Sequence, residues 1–422
     1  MVRLIDLCKN HFPVGLFYLV PELWTEKGVR QASETGADFF VSVRSEEPLL
    51  SLCEEHNMGL ISSSNLEPTW WGGDGTNAGG YEQQFPLDAL NKVVKDYPNS
   101  PYVWGDYQVD EPNVMDYKHI NKIAEMYAQL LPDKLFFLNL YPSYGSLPKN
   151  SCDEIVKQLG CANYTEYIDQ YVREVDLPYI CFDYYPYTGE NVFATYLENL
   201  DIVAKACVMS KKEMWVVIQT GAWRPEEILK ECQLEWQVYL SLAYGAKAIM
   251  HACYSHCWWD PTTSCVDAAG NKNPTYDYVK RINSVLHSEL GLVILKYEYI
   301  GTTAFGEINA SNVQVKAQLE KQYKNAQIDG IPDFEIHSDS AVIVGFFRNN
   351  NDIAVMVVNS HNPFDPTANA DIHLGIKKYK TMEVFSDTKS NVSGSDIATN
   401  SDTLTRIKLS SGQGALVVFK RL

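Results

Sequence analysis

The sequence predicts an α/β architecture: a (β/α)8 TIM barrel over residues 1–295, followed by an all-β sandwich over residues 296–422. Three observations predict it. Eight short apolar runs, rich in β-branched and aromatic residues, recur through the first part of the chain. Amphipathic helical patterns lie between them. After about Leu295 the pattern changes to alternating strands separated by Asn-, Gly- and Ser-rich turns. A length of 422 residues suits a barrel of roughly 250–300 residues plus a sandwich of roughly 100.

The strand candidates are Val14–Val20, Asp38–Val43, Gly59–Ser63, Val103–Val109, Leu135–Leu140, Tyr179–Asp183, Trp215–Gln219 and Ala246–His251. Each is nearly continuous in apolar character, as parallel strands packed on both faces require. Pro225-Glu226-Glu227 predicts a helix start, because proline suits the first helical position and acids complement the positive dipole end. From there Ile228, Leu229, Cys232, Trp236, Leu240 and Ala243 recur at helical spacing. Asn113 to Leu131 and Thr275 to Leu290 read the same way. A doubly wound open sheet is the competing arrangement, but no glycine-rich phosphate turn follows the first strand. In the sandwich, Ala341–Phe347, Ile353–Asn359, Thr381–Phe385, Leu404–Leu409 and Ala415–Phe419 read as antiparallel strands, with a hairpin turn at Asn349-Asn350-Asn351-Asp352. This part is expected to pack on the barrel or to make a contact between copies.

Acidic residues outnumber basic ones by 53 to 35, giving a net charge of −18. So acidic a surface repels phosphate backbones and anionic lipid, so neither nucleic acid nor membrane is an expected partner. It also favours a neutral substrate. The ten cysteines fall between Cys8 and Cys265 without a CxxC or Cys/His pattern, and read as buried free thiols. Cys257 and Cys265 are the pair able to bridge in a secreted protein. No leader is read before the first strand, and no apolar run approaches the roughly 18 residues that cross a bilayer. A cytoplasmic protein is expected. No cofactor and no metal constellation is read, since no His pair at helical spacing backs the acidic positions.

In barrels of this kind chemistry sits where strands end. The fourth strand closes as Trp104-Gly105-Asp106-Tyr107-Gln108-Val109-Asp110-Glu111-Pro112. Two adjacent carboxylates closing an apolar strand are costly unless solvated or functional. A catalytic carboxylate is the favoured reading, and capping of the following helix the bland alternative. The segment resembles the strand-four motif of the large clan of (β/α)8 glycoside hydrolases that includes β-galactosidases and many cellulases. That motif is usually Asn-Glu-Pro, with Glu as general acid/base. The resemblance implies that Glu111 is the acid/base, and that Asp110 stands where an asparagine binds the sugar 2-hydroxyl. The clan places its nucleophilic Glu at the end of strand seven, where this chain has Gln219, an amide that cannot attack an anomeric carbon.

Glycosidic cleavage usually needs two carboxylates. Asp183, in Cys181-Phe182-Asp183-Tyr184-Tyr185-Pro186, is the first candidate for the second, and Glu67, in Asn65-Leu66-Glu67-Pro68, ranks below it. A pair on strands four and six fits inversion at a carboxyl separation of about 6.5–9.5 Å and retention near 5 Å. Adjacent Asp-Glu also resembles the pair of substrate-assisted hexosaminidases, with Asp110 orienting a substrate acetamido group and Glu111 as the acid. Tyr18, Asn139, Tyr141, Tyr185, His251 and Gln219 at strand ends, with Trp70, Trp223 and Trp258 on loops, are the expected sugar-binding groups; Trp71, Trp259, Tyr254 and His256 lie nearby. Aromatic faces pack on the C–H side of sugar rings and polar edges bind hydroxyls. The expectation is a glycoside hydrolase acting on a neutral carbohydrate; a non-catalytic carbohydrate-binding barrel is the alternative.

Overall fold

The computed structural model describes residues 2–63, 69–70, 78–146, 158–189, 193–306, 331, 334–377, 379–386 and 404–421. Eight parallel strands alternate with helices: β1 Val14–Phe17, α1 Glu26–Ser33, β2 Phe39–Val43, α2 Leu49–Glu55, β3 Gly59–Ser62, α3 Ala89–Lys95, β4 Val103–Asp110, α4 Tyr117–Leu130, β5 Leu135–Asn139, α5 Tyr164–Glu174, β6 Tyr179–Tyr184, α6 Tyr196–Ser210, β7 Glu213–Gln219, α7 Glu231–Ala243, β8 Ala246–Ala252 and α8 Pro274–Leu286. β1 pairs with both β2 and β8, and pairing continues from β2 through β3 and β4 to β5, and from β8 through β7 to β6. The two ends of this run meet through a parallel bridge of Leu140 with Phe182, which closes the barrel.

The strands are buried because both faces are covered. Tyr179 and Trp215 stack with centroids 3.7 Å apart, and Phe137 stacks on Trp215 at 6.4 Å, tying β5, β6 and β7 together. The helix starts use short polar caps: the Thr25 hydroxyl accepts from the Gly28 amide at 3.1 Å, and the Asn163 side chain accepts from the Glu166 amide at 2.9 Å.

Two helix expectations are corrected. Pro225–Glu227 is a separate 3-10 turn; Ile228 then turns extended and α7 begins at Glu231 behind an extended Lys230. The stretch from Thr275 to Leu290 is two helices. α8 ends at Leu286, and the Ser288 hydroxyl caps a second helix, Glu289–Lys296.

The antiparallel part consists of β9 Glu298–Phe305, β10 Phe334–Ser338, β11 Val342–Asn349, β12 Asp352–Asn359, β13 Asn369–Ile376, β14 Tyr379–Ser386, β15 Thr405–Ser410 and β16 Gly414–Arg421. Five strands pair in the order β9-β11-β12-β16-β14, and three in the order β10-β13-β15. Asn349 faces Asp352 across the β11–β12 hairpin, with Asn350 at φ +54° supplying the left-handed turn residue. Val344, Phe346, Val355, Val357 and Val417 point to the core between the two sheets. Their strand neighbours Ile343, Phe347, Met356, Val358 and Leu416 join the barrel's own core, the period-two alternation of a strand covered on both sides.

The two parts come close at Gly345, where a Cβ would lie 1.9 Å from the Ala243 carbonyl oxygen of α7. Gly345→Ala must therefore push the sheet off the helix. It is expected to lower stability by about 1–3 kcal/mol, read as a fall in Tm by calorimetry; an unchanged Tm would show that the contact is slack.

Candidate active site

Three carboxylates gather at the C-terminal ends of β4 and β6. A register shift between Tyr107 and Val109 in the pairing of β4 with β5 leaves Gln108 as an extra residue. This bulge puts Asp110 on the same face as Tyr107, three positions earlier. The Tyr107 hydroxyl donates to Asp110 Oδ1 at 2.6 Å. Asn139, ending β5, donates from one nitrogen to two acids: Asp183 Oδ1 at 2.6 Å and Asp110 Oδ1 at 3.3 Å. The Asn139 side-chain oxygen accepts from the Cys181 thiol at 3.6 Å. Tyr144 donates to the other Asp183 oxygen at 3.5 Å.

Asp183 is 4% exposed. Burial, and then the charge of Asp110, push its carboxyl up to about 7, against the pull of the Asn139 and Tyr144 hydrogen bonds. Burial also raises Asp110, while the bonds from Tyr107 and Asn139 pull it down. The two acids thus act as a unit that holds one proton near neutral pH.

Glu111 follows Asp110 at φ +48°, a left-handed conformation rare for a residue with a side chain. Its amide donates to the Asn139 carbonyl at 2.8 Å, and its side chain is half-buried. Burial raises the phenols of both Tyr141 and Tyr144. The Glu111 charge is the next influence on Tyr141, and it follows the Asp183 charge on Tyr144. The Glu111 carboxylate thus lies near enough to Tyr141 and Tyr144 for its charge to raise both phenols.

An aromatic wall rises beside these acids. Trp258 is 52% exposed and Trp223 49% exposed. Tyr185 lies 5.7 Å from Trp258 and 5.1 Å from Trp259, and Trp223 stacks on Trp259 at 5.5 Å. Phe17 links Trp258 at 6.0 Å to Tyr107 at 5.7 Å, and so to Asp110. Tyr18, at φ +68°, lies farther round the mouth beside His256. With Leu19, Trp24, Ser42, Arg44 and Ser63 it lines a cavity of about 320 Å³ at the ends of β1, β2 and β3.

Several expected sugar contacts are placed otherwise. Gln219 has no exposed surface. Its oxygen accepts from the Tyr187 amide at 2.8 Å and its nitrogen donates to the Gly221 carbonyl at 2.9 Å. His251 is likewise enclosed, its Nε2 2.8 Å from Asn283 Oδ1, and burial pushes it down to about 4, so it stays neutral. Asn139 and Tyr141 are 3% and 1% exposed; Asn139 bonds the acids themselves. Glu67 and Trp71 lie outside the described residues. Trp70 closes a two-residue strand, Thr69–Trp70, that pairs with Val109 and Asp110. Tyr107 and Tyr144 were not singled out in the sequence; the bulge hides the first, and the second sits beyond the end of β5. The cysteines Cys257 and Cys265 are both free and buried, as are the seven others among the described residues.

Because the folded pKa of Asp183 is raised from 3.8 to about 7, the folded chain holds that proton more tightly than the unfolded one. The stabilising contribution is present below about pH 4 and is lost as pH rises through about 7. Asp183→Asn, neutral throughout, is expected to flatten the fall of Tm between about pH 5 and about pH 8. Parallel Tm profiles for variant and wild type would place the proton elsewhere.

No known family profile matches the chain, and no curated protein does either. Among solved structures, a catalytic mutant of a GH42 β-galactosidase from G. stearothermophilus matches with a TM-score of 0.59 at 9% identity, covering 98% of each chain. A second structure of that β-galactosidase gives 0.58 with the same identity and coverage. A GH10 xylanase from Thermobacillus composti covers 66% of this chain and 99% of its own at 13% identity, with a TM-score of 0.39, too distant to build on. The fold of this chain, over nearly its whole length, is that of a (β/α)8 barrel carrying a further β domain, and its full-length structural neighbours are glycoside hydrolases.

Proposed function

We propose that the chain is a glycoside hydrolase acting on a neutral oligosaccharide or glycoside at the barrel mouth. The observation that carries this reading is the gathering of Asp110, Glu111 and Asp183 beside the exposed faces of Trp223 and Trp258. Glu111 protonates the leaving glycosidic oxygen. It is half-buried and held on a left-handed turn, a position that strain alone would not favour. Asp110 and Asp183 supply the second acidic function as a pair. Asp110 is the member more open to the mouth, and Asp183 behind it, raised by burial and by the Asp110 charge, takes up a proton so that Asp110 can stay charged, while Asn139 holds the two acids in register. Trp258, Trp223, Tyr185 and Tyr18 form the surface on which sugar rings lie.

Enclosure favours a second reading. Gln219 is fully enclosed and Asp183 is only 4% exposed, which leaves Asp183 little access to an anomeric carbon. A 2-acetamido sugar would supply its own nucleophile, with Asp110 orienting the acetamido group and Glu111 as acid. Aryl glycosides with and without a 2-acetamido group separate the two: cleavage of the acetamido compound alone selects substrate assistance. Binding of glycans with no product from either selects a barrel that only binds.

Glu111→Gln is expected to lower kcat on the cognate aryl glycoside by about 10²–10⁴-fold, with KM changed little. Undiminished turnover in that variant would remove Glu111 from the acid role. Trp258→Ala is expected instead to raise KM by about tenfold or more, the loss of roughly 1.4 kcal/mol of stacking, with kcat less affected.

A further inference from the structure

At the opposite end of the barrel, three side chains from distant parts of the sequence meet. His11 lies in the segment leading into β1, Asp38 precedes β2 by one residue, and His287 caps the C-terminus of α8. His11 Nε2 lies 3.4 Å from Asp38 Oδ1, and His287 Nε2 lies 3.3 Å from Asp38 Oδ2. One nitrogen from each ring and one carboxylate oxygen fall within 4.8 Å of one another. The two rings meet edge to face, with centroids 4.6 Å apart.

These spacings suit a metal ion. Bonds of about 2.0–2.1 Å to nitrogen and oxygen, arranged tetrahedrally, place neighbouring donor atoms about 3.3 Å apart. Two imidazoles and a carboxylate are also the donor types that zinc and its neighbours in the first transition row accept. The Asp38 carboxylate is already oriented by the backbone of β1. Its Oδ2 accepts from the Val14 amide at 2.8 Å, and the Asp38 amide donates to the Val14 carbonyl at 2.8 Å. That outer contact holds a ligating carboxylate much as partners beyond a metal's own ligands generally do. The site is open enough for an ion and its water to enter, since the His11 and His287 side chains are 37% and 25% exposed. His287 Nε2 divides itself between Asp38 and the Phe12 carbonyl at 3.1 Å, and an ion at the trio takes the place of that shared ring proton.

We propose that His11, Asp38 and His287 bind a divalent transition-metal ion of the zinc type at the N-terminal rim of the barrel. The ion joins the leading segment of the chain to the start of β2 and to the end of α8, and so fastens the strand with which the barrel begins to the helix with which it ends. Its role is structural, because the carboxylates of the mouth lie at the other ends of the strands.

Zinc chloride and cobalt chloride are the probes, used on the whole chain after treatment with a chelator. One zinc ion per chain is expected to bind with a Kd of about 10 µM or tighter. At about a hundredfold excess over Kd it should raise Tm by a few degrees. Cobalt should give the visible absorption of a four- or five-coordinate nitrogen and oxygen site. His11→Ala, at the more exposed ring, should weaken zinc binding by about a hundredfold and abolish the rise in Tm, leaving the circular dichroism spectrum of the metal-free chain unchanged. His287→Gln serves as a second arm. Failure of the wild-type chain to bind zinc one-to-one more tightly than about 100 µM overturns the proposal, as does equal affinity in wild type and His11→Ala, which would assign the ion to thiols or other histidines.

Discussion

One amide nitrogen, that of Asn139, donates to acids on both of its flanking strands, and the layout of the mouth follows from that bond pair. A carboxyl group as enclosed as Asp183, with a second acid beside it, stays charged only at a large cost in desolvation and repulsion. A shared donor and a shared proton relieve both, and they require the acids to converge on one point. β4 meets this demand by its bulge at Gln108, without which strict alternation would send Asp110 to the outer face. The same place is where the barrel closes. Between β5 and β6 the backbone offers a bridge at Leu140 and Phe182 and a bond from the Leu140 amide to the Cys181 carbonyl at 2.8 Å. The side-chain bridge across the acids reinforces the closure, so the acid cluster and the ring of strands depend on the same few atoms.

The backbone at the mouth is correspondingly strained. Tyr18, Ser42, Glu111 and His256, at the ends of β1, β2, β4 and β8, all take left-handed conformations without being glycine. Such residues persist only where their surroundings over-determine them. Here the surroundings are a barrel packed on its inner face by stacked rings and covered outside by α7, which the five-stranded sheet covers in turn. At Glu111 the left-handed turn breaks the strand alternation just past Asp110.

The strands and the change to antiparallel β were legible because burial on both faces leaves a continuous apolar run, and a covered sheet leaves an alternating one. Asn369–Ile376 carries that alternation too, with Ala370, Ile372, Leu374 and Ile376 buried between Asp371, His373 and Gly375, although it is not among the strands the sequence reading picks out. The breaks at Ile228 and His287 were not legible, because residues on both sides of each break keep an apolar spacing that continues across it. At the site, Asp110, Glu111 and Asp183 could be found as acids closing apolar strands. Their partners Tyr107, Asn139 and Tyr144 could not be assigned, since a bulge and a cross-strand bond leave no mark in spacing. Gln219 and His251 mislead for the converse reason: a polar residue at a strand end looks the same in sequence whether it faces the mouth or the surrounding helices. The trio of His11, Asp38 and His287 is invisible for want of any local pattern at all.

Gln219 shows how an amide can be required where a nucleophile is absent. Its nitrogen must donate to the Gly221 carbonyl and its oxygen must accept from the Tyr187 amide. A carboxylate there would keep the second bond and set a negative oxygen against the Gly221 carbonyl in an enclosed site, which is strongly unfavourable. The two bonds join the loop after β6, which carries Tyr185, to the loop after β7, which carries Trp223. Both residues belong to the aromatic wall. The amide therefore ties together the two loops that carry Tyr185 and Trp223 in the aromatic wall. With an enclosed amide at the end of β7 and acids concentrated on β4 and β6, the charge at the mouth is asymmetric, gathered on one side of the barrel axis.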